Sequence, residues 1–187
     1  MKKTKLYLFS LFALTLAVTS CKKEDPKPVE VPPSPVNEEE LITTFRITLT
    51  DPNGVNPAVT AIFRDIDGPG GNEPVQFDTI RLKPNATYHA AIEFLNESVN
   101  PVQDITAEIL EEATDHLICF TISGVNTSIV RTDSDGTYEI GLASTWTTTA
   151  VSQGKIQIAL RHQPGIKNGT CDVGDSDIEL DFVTYVE

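Results

Sequence analysis

Three histidines and one acidic, glycine-rich loop are the places where this chain of 187 residues could do chemistry. Neutral imidazole is a common ligand for zinc and related transition metals, and carboxylates complete such sites. His116 ends an acidic run of Glu108, Glu111, Glu112 and Asp115, while His89 stands four positions before Glu93, and His162 lies far along the chain. A fold that gathered His89, His116 and His162 would make a transition-metal site, and that is one expectation. There is no His-Glu-x-x-His pair on a helix, so the alternative is solvated acids and ordinary surface histidines. The loop Asp65-Ile66-Asp67-Gly68-Pro69-Gly70-Gly71-Asn72-Glu73 offers oxygen ligands from Asp65, Asp67, Asn72 and Glu73, which suit calcium. It departs from the EF-hand pattern: Pro69 stands at the third ligand position and Gln76 where a bidentate glutamate belongs. The competing reading is a turn in which glycine supplies positive φ and aspartate accepts backbone hydrogen bonds.

Signatures of enzyme chemistry are absent. The sequence has no Gly-x-Ser-x-Gly elbow, no P-loop and no dinucleotide-binding glycine pattern. Paired carboxylates could build a carbohydrate or ester hydrolase on an acidic β domain, but the fold sets their separation. The expectation is therefore a protein that is not an enzyme.

The N-terminus reads as an address. Lys2, Lys3 and Lys5 precede an apolar run from Leu6 to Val18, with small residues after it. The run has the make-up of a signal peptide, and it is shorter than the roughly twenty apolar residues of a spanning helix. Val18-Thr19-Ser20-Cys21 resembles the lipobox of bacterial lipoproteins. That resemblance implies cleavage after residue 20 and acylation of Cys21, which would anchor the chain in a lipid bilayer. Acyl chains contribute about 0.8 kcal/mol per buried methylene, and two or more hold stably. Lys23-Glu24-Asp25 resembles the export tag of Bacteroidota surface lipoproteins. It implies an outer-membrane location facing the cell exterior.

Three of the 14 basic residues, Lys2, Lys3 and Lys5, leave with the signal, so 11 remain against 27 acidic ones, a formal net charge of −16. Phosphate backbones need clustered Lys and Arg, so nucleic acid is not an expected partner. With Cys21 lipidated, Cys119 and Cys171 remain, and an even count in an oxidising compartment predicts one disulfide.

The elements beyond the anchor must position these groups. Residues 21–40 are rich in Pro, Glu and Lys, and read as an extended tether that could hold a domain several tens of Å from the bilayer at about 3 Å per residue. Residues 41–187 suit a single β domain. Short runs rich in Ile, Val, Thr and Phe recur between turn residues: 42–49, 58–65, 75–82, 88–95, 105–110, 116–123, 138–142, 155–161 and 178–186. Of these, 105–110 also has helical character. The last is clearest, with Ile178, Leu180 and Phe182 alternating with Glu179 and Asp181. About nine short strands predict an all-β, antiparallel, immunoglobulin-like sandwich, with a small β-barrel as the alternative. Trp146 is expected in or beside the core.

Asp65-x-Asp67-Gly68-x-Gly70-Gly71-Asn72, the acidic run into Asp115-His116, and Gly174-Asp175-x-Asp177-Ile178 together resemble small Bacteroidota surface lipoproteins. That resemblance implies a setting beside outer-membrane transporters and carries no activity with it. The functional expectation is a surface-exposed binding or accessory module, with an adhesion or envelope-interaction domain as the alternative.

Overall fold

A computed structural model of the chain describes residues 40–187. The expected signal peptide, the lipidation site Cys21 and the tether up to residue 39 lie outside the described residues.

Strand alternation and turn residues divide the chain into β1 (Thr44–Thr50), β2 (Val59–Arg64), β3 (Gln76–Phe77), β4 (Ile80–Leu82), β5 (Thr87–Asn96), β6 (Gln103–Asp104), α1 (Ile105–Glu111), β7 (His116–Ser123), β8 (Thr127–Arg131), β9 (Ala143–Thr148), β10 (Ser152–His162) and β11 (Asp175–Val186). The first sheet runs β3-β2-β1-β5-β9-β8, with β6 paired to the end of β5, and the second runs β4-β11-β10-β7. Among the described residues, only β4 and β11 pair in parallel, and every other pair is antiparallel. The expected all-β sandwich of two stacked sheets is present, and the sheets do not close into a barrel.

The inner faces follow the period-two pattern of strands. In β5, Tyr88, Ala90, Ile92 and Phe94 are buried while His89, Ala91 and Glu93 face outward. In β11, Leu180, Phe182 and Val186 are buried between exposed Glu179, Asp181 and Val183. Phe45 joins the layers, meeting Phe94 edge-on at 5.4 Å in its own sheet and Phe182 at 5.4 Å in the other. A fully buried phenylalanine stabilises the fold by roughly 1.5–3 kcal/mol. Trp146 is fully buried as expected; its Nε1 donates to Ser144 Oγ at 2.9 Å and its ring meets Phe120 edge-on.

Four sequence expectations need correction. Residues 105–110 are helical: Asp104 accepts from Ala107 N at 3.3 Å as the N-cap, and Ile105 and Ile109 bury one face four residues apart. Residues 138–142 form a loop holding one isolated bridge, Ser134 to Glu139. Strands β8 and β9 add to the expected set: β9 is mostly Thr and Ser, and the apolar residues of β8 are only the adjacent Ile129 and Val130, which do not alternate. The run 75–82 divides, since β3 pairs with β2 in the first sheet and β4 with β11 in the second. Asp78 marks the break, its Oδ2 accepting from Ile62 N at 3.0 Å and Gln76 Nε2 at 2.9 Å.

Among the described residues, no helix is long and apolar enough to cross a membrane.

Candidate functional site

Two short strands stop early and leave a cleft. β4 pairs with β11 only at Thr184–Val186, and β3 with β2 only at Phe63 and Arg64. The N-terminal half of β11, the end of β2 and the entry segment Glu40–Ile42 therefore enclose a space of about 680 Å³. Its apolar wall is built on Phe63 and Phe77, packed edge-on at 5.2 Å, and Phe77 in turn packs on core Phe182 at 5.1 Å. Glu40, Asp65, Asp177 and Glu179 supply carboxylates, and among the described residues no Lys or Arg lines the space. Outside it, the Arg161 guanidinium lies 3.8 Å from Glu179 and donates to Ser176 Oγ and to the carbonyl of Gly174.

Crowding of acids at one end perturbs them. Burial, then repulsion from Glu108 and a hydrogen bond with it, with further repulsion from Asp177 and Glu112, push Glu40 up to about 7. Between the ordinary value of 4.5 and about 7 the folded chain holds a proton that the unfolded chain has released. Stability therefore falls as pH rises through that window. Replacing Glu40 with Gln is expected to raise the melting temperature at pH 8 and leave it unchanged at pH 4. Solvent screening of this partly exposed group limits the gain to about 1 kcal/mol. Thermal melts of both proteins at the two pH values check this, and an equal difference at both would refute it.

The loop expected to hold calcium is closed on itself. Asp67 Oδ2 accepts from Asn72 N at 2.9 Å and Asn72 Nδ2 at 2.6 Å, and these bonds hold Asp67 below the usual aspartate range. A Cβ at Gly71 would sit 2.4 Å from Asp67 Oδ2, so a side chain there would displace this carboxylate from its bonds to Asn72. Burial and the neighbouring Asp67 carboxyl raise Asp65, which turns to the cleft. Asp65, Asp67 and Glu73 are not among the described residues whose acidic and imidazole groups converge on a common point. These hydrogen bonds are those of the turn alternative, with the Asn72 amide donating to Asp67.

The histidine expectation is corrected in part. His89 stands on the outer face of β5 in the first sheet and is exposed. His116 and His162 are opposite each other in the β7–β10 pairing, their rings stacked 10° from parallel at 4.6 Å between centroids. Both continue the inward-facing rows, after Ile158 and Leu160 in β10 and before Ile118 in β7, so the sheet buries them. Helix α1 ends beside them, and His116 Nδ1 lies 3.1 Å from the carbonyl of Glu112. Burial holds His116 below the ordinary histidine range, and the neighbouring His162 adds to this. In the neutral ring Nδ1 donates to that carbonyl and Nε2 carries the lone pair.

Asp177 completes this corner. The β10–β11 register shifts after Leu160, pairing Leu160 with Ile178 but Arg161 with Ser176, so Asp177 is the extra residue of a bulge. Its side chain is buried, with Oδ2 4.0 Å from His116 Nε2. Residues 163–174, the loop before β11, are fastened on three sides. Gln163 Nε2 donates to the carbonyls of Thr170 and Val173 at 2.9 and 3.0 Å. Cys171 is disulfide-bonded to Cys119 of β7, as expected. Gly174 approaches so closely that a Cβ would lie 2.1 Å from the His162 carbonyl oxygen. Sequence reasoning missed Glu40 and Asp177 as site residues. The break in alternation just before Ile178 was the available signal for Asp177.

No protein family, curated protein or solved structure matches the chain.

Proposed function

We propose that the chain is a lipid-anchored binding module on the outer face of the outer membrane, holding a small amphipathic cation in its cleft. The observation that carries this reading is the cleft, about 680 Å³, with aromatic walls and, among the described residues, a lining that holds carboxylates and no basic residue. Ligand sites commonly measure roughly 300–1,000 Å³ and combine apolar walls with a few polar groups. Phe63 and Phe77 would take the apolar body of the ligand, and Asp65 would face its ammonium or guanidinium group. Acylated Cys21 and the proline-rich tether would present the domain away from the bilayer, beside an outer-membrane transporter that receives the ligand.

Calorimetric titration with benzylammonium and hexylammonium, against carboxylates of the same size, tests the cleft. The ammonium compounds should bind and the carboxylates should not. Asp65→Asn and Phe63→Ala should each weaken binding by at least about tenfold, through loss of a buried charge partner and of aromatic contact area respectively. Equal binding of cations and anions, or indifference to both substitutions, would reject the cleft as the site. Co-purification of a transporter with the native lipoprotein tests the partner.

A further inference from the structure

We infer that Glu112, His116 and His162 form a site for one divalent transition-metal cation, with zinc the best match to the ligand set. This inference does not rest on the cleft reading, since its three ligands sit at the corner where α1, β7 and β10 meet and none of them lines the cleft.

Convergence is the first observation. One donor atom from each of the three residues lies within 4.8 Å of the others. Zinc binds His nitrogen and carboxylate oxygen at about 2.0–2.2 Å, which places tetrahedral ligand atoms about 3.4 Å apart. Closing the group onto a metal thus needs contraction of up to about 1.4 Å: Glu112, exposed at the helix end, has the freedom to move in, and the two imidazoles must rotate toward a common point.

A second, separate observation is unsatisfied nitrogen. His116 is 0% exposed and His162 8% exposed, and His116 Nε2 and His162 Nδ1 are buried without a hydrogen-bond partner among the described residues. A buried polar atom left unpaired forfeits its hydration and gains nothing in return. Two such atoms side by side are poor core packing; their lone pairs lie in the ring planes, so the stacked imidazoles would turn out of parallel to share one metal.

The surroundings match a metal centre as well. A ligating histidine almost always donates its other ring N–H to a carbonyl or carboxylate, which fixes the tautomer. His116 Nδ1 does so to the Glu112 carbonyl at 3.1 Å, leaving Nε2 to bind. Asp177 Oδ2, 4.0 Å from that Nε2, adds negative charge beside the three ligands. Two imidazoles with carboxylates favour zinc over calcium or magnesium, whose preferred ligands are all oxygen.

The test uses the full chain in detergent, stripped with chelator and titrated with zinc against a chromophoric competitor. Binding should saturate near one zinc per chain. Glu112→Gln and His162→Gln should weaken it at least about tenfold, and His89→Ala should leave it unchanged. Cobalt should show the intense visible bands of a tetrahedral site in the parent protein and lose them in His162→Gln. No zinc binding, or binding equally strong in the Glu112 and His162 variants, would overturn the assignment. Should His162→Gln fail to fold, Glu112→Gln decides alone, because its side chain lies outside the core.

Discussion

Reducing the Cys119–Cys171 disulfide lowers the stability of the domain by about 4 kcal/mol. The bridge joins residues 52 positions apart, and the loop-closure entropy restored to the unfolded chain on opening such a loop amounts to about 4 kcal/mol. Packing adds to this. On the outer face of the second sheet, Leu117, Cys119 and Ala159 form a small apolar cluster of their own, apart from the main core. Cys171 bonds directly to the Cys119 member of that cluster. Freeing it loosens the segment that leads from His162 to Asp177, so the histidine corner should lose order together with the bridge. Urea unfolding with and without a phosphine reductant, and of a Cys119→Ala/Cys171→Ala double variant, measures the loss. The two routes should agree. A midpoint unmoved by either would mean the bridge holds nothing that matters to the folded state.

Asp135→Ala is expected to cost about 3 kcal/mol, because it strands a buried ammonium. Lys167 and Asp135 side chains are each 3% exposed, 2.7 Å apart, and Lys167 Nζ also donates to the Ala113 carbonyl at 2.7 Å. The pair therefore ties the loop after β10 both to the 133–140 loop and to the turn following α1. Replacing both partners with apolar residues, as in Asp135→Leu/Lys167→Met, should recover most of the loss, since no charge is then left uncompensated. The same pair predicts an acid sensitivity. The hydrogen bond from Lys167, followed by those from the backbone N–H groups of Tyr138 and Thr137, holds Asp135 at about 2. The folded-state value is depressed, so its stabilisation is present above the ordinary 3.8 and disappears as pH falls toward 2. Denaturation curves at pH 5, 3.5 and 2.5 should show the parent and Asp135→Asn proteins converging in stability as the pH drops. A constant gap across that range would sink the pair as the source.

Both clamps act on the same segment, residues 163–174, which carries no regular structure yet sets the position of the first residues of β11. Loops hold function when a rigid scaffold and specific fastenings limit their freedom. Here the fastenings are one covalent bond, one buried ion pair and the Gln163 side chain.

Much of the sandwich is readable in the residues themselves. Where one face of a strand is buried and the other wet, apolar residues recur every second position, as in Leu180, Phe182 and Val186 or in Tyr88, Ala90, Ile92 and Phe94. The same rule fails for β9, whose Thr and Ser residues satisfy a strand without an apolar signature, and for β8, whose two apolar residues are adjacent and do not alternate. It also fails for 105–110, where Ile105 and Ile109 are spaced for a helix but the run is too short to separate the two periods. The disulfide was legible because, with Cys21 assigned to the lipid, two cysteines can pair in only one way. The expectation of lipidation at Cys21 rests on the sequence alone.

The site needed the tertiary structure. Nothing near His116 announces that His162 will stand opposite it, or that His89, similar in local setting, will face solvent from the other sheet. Local alternation determines which residues share a face, because that is a property of the extended backbone. It cannot determine which faces meet, because strand partners are chosen by packing over the whole domain. Phe77 and Ile80 illustrate the point: they belong to one continuous run of sequence, yet they pair into different sheets, and the gap between those sheets is the cleft.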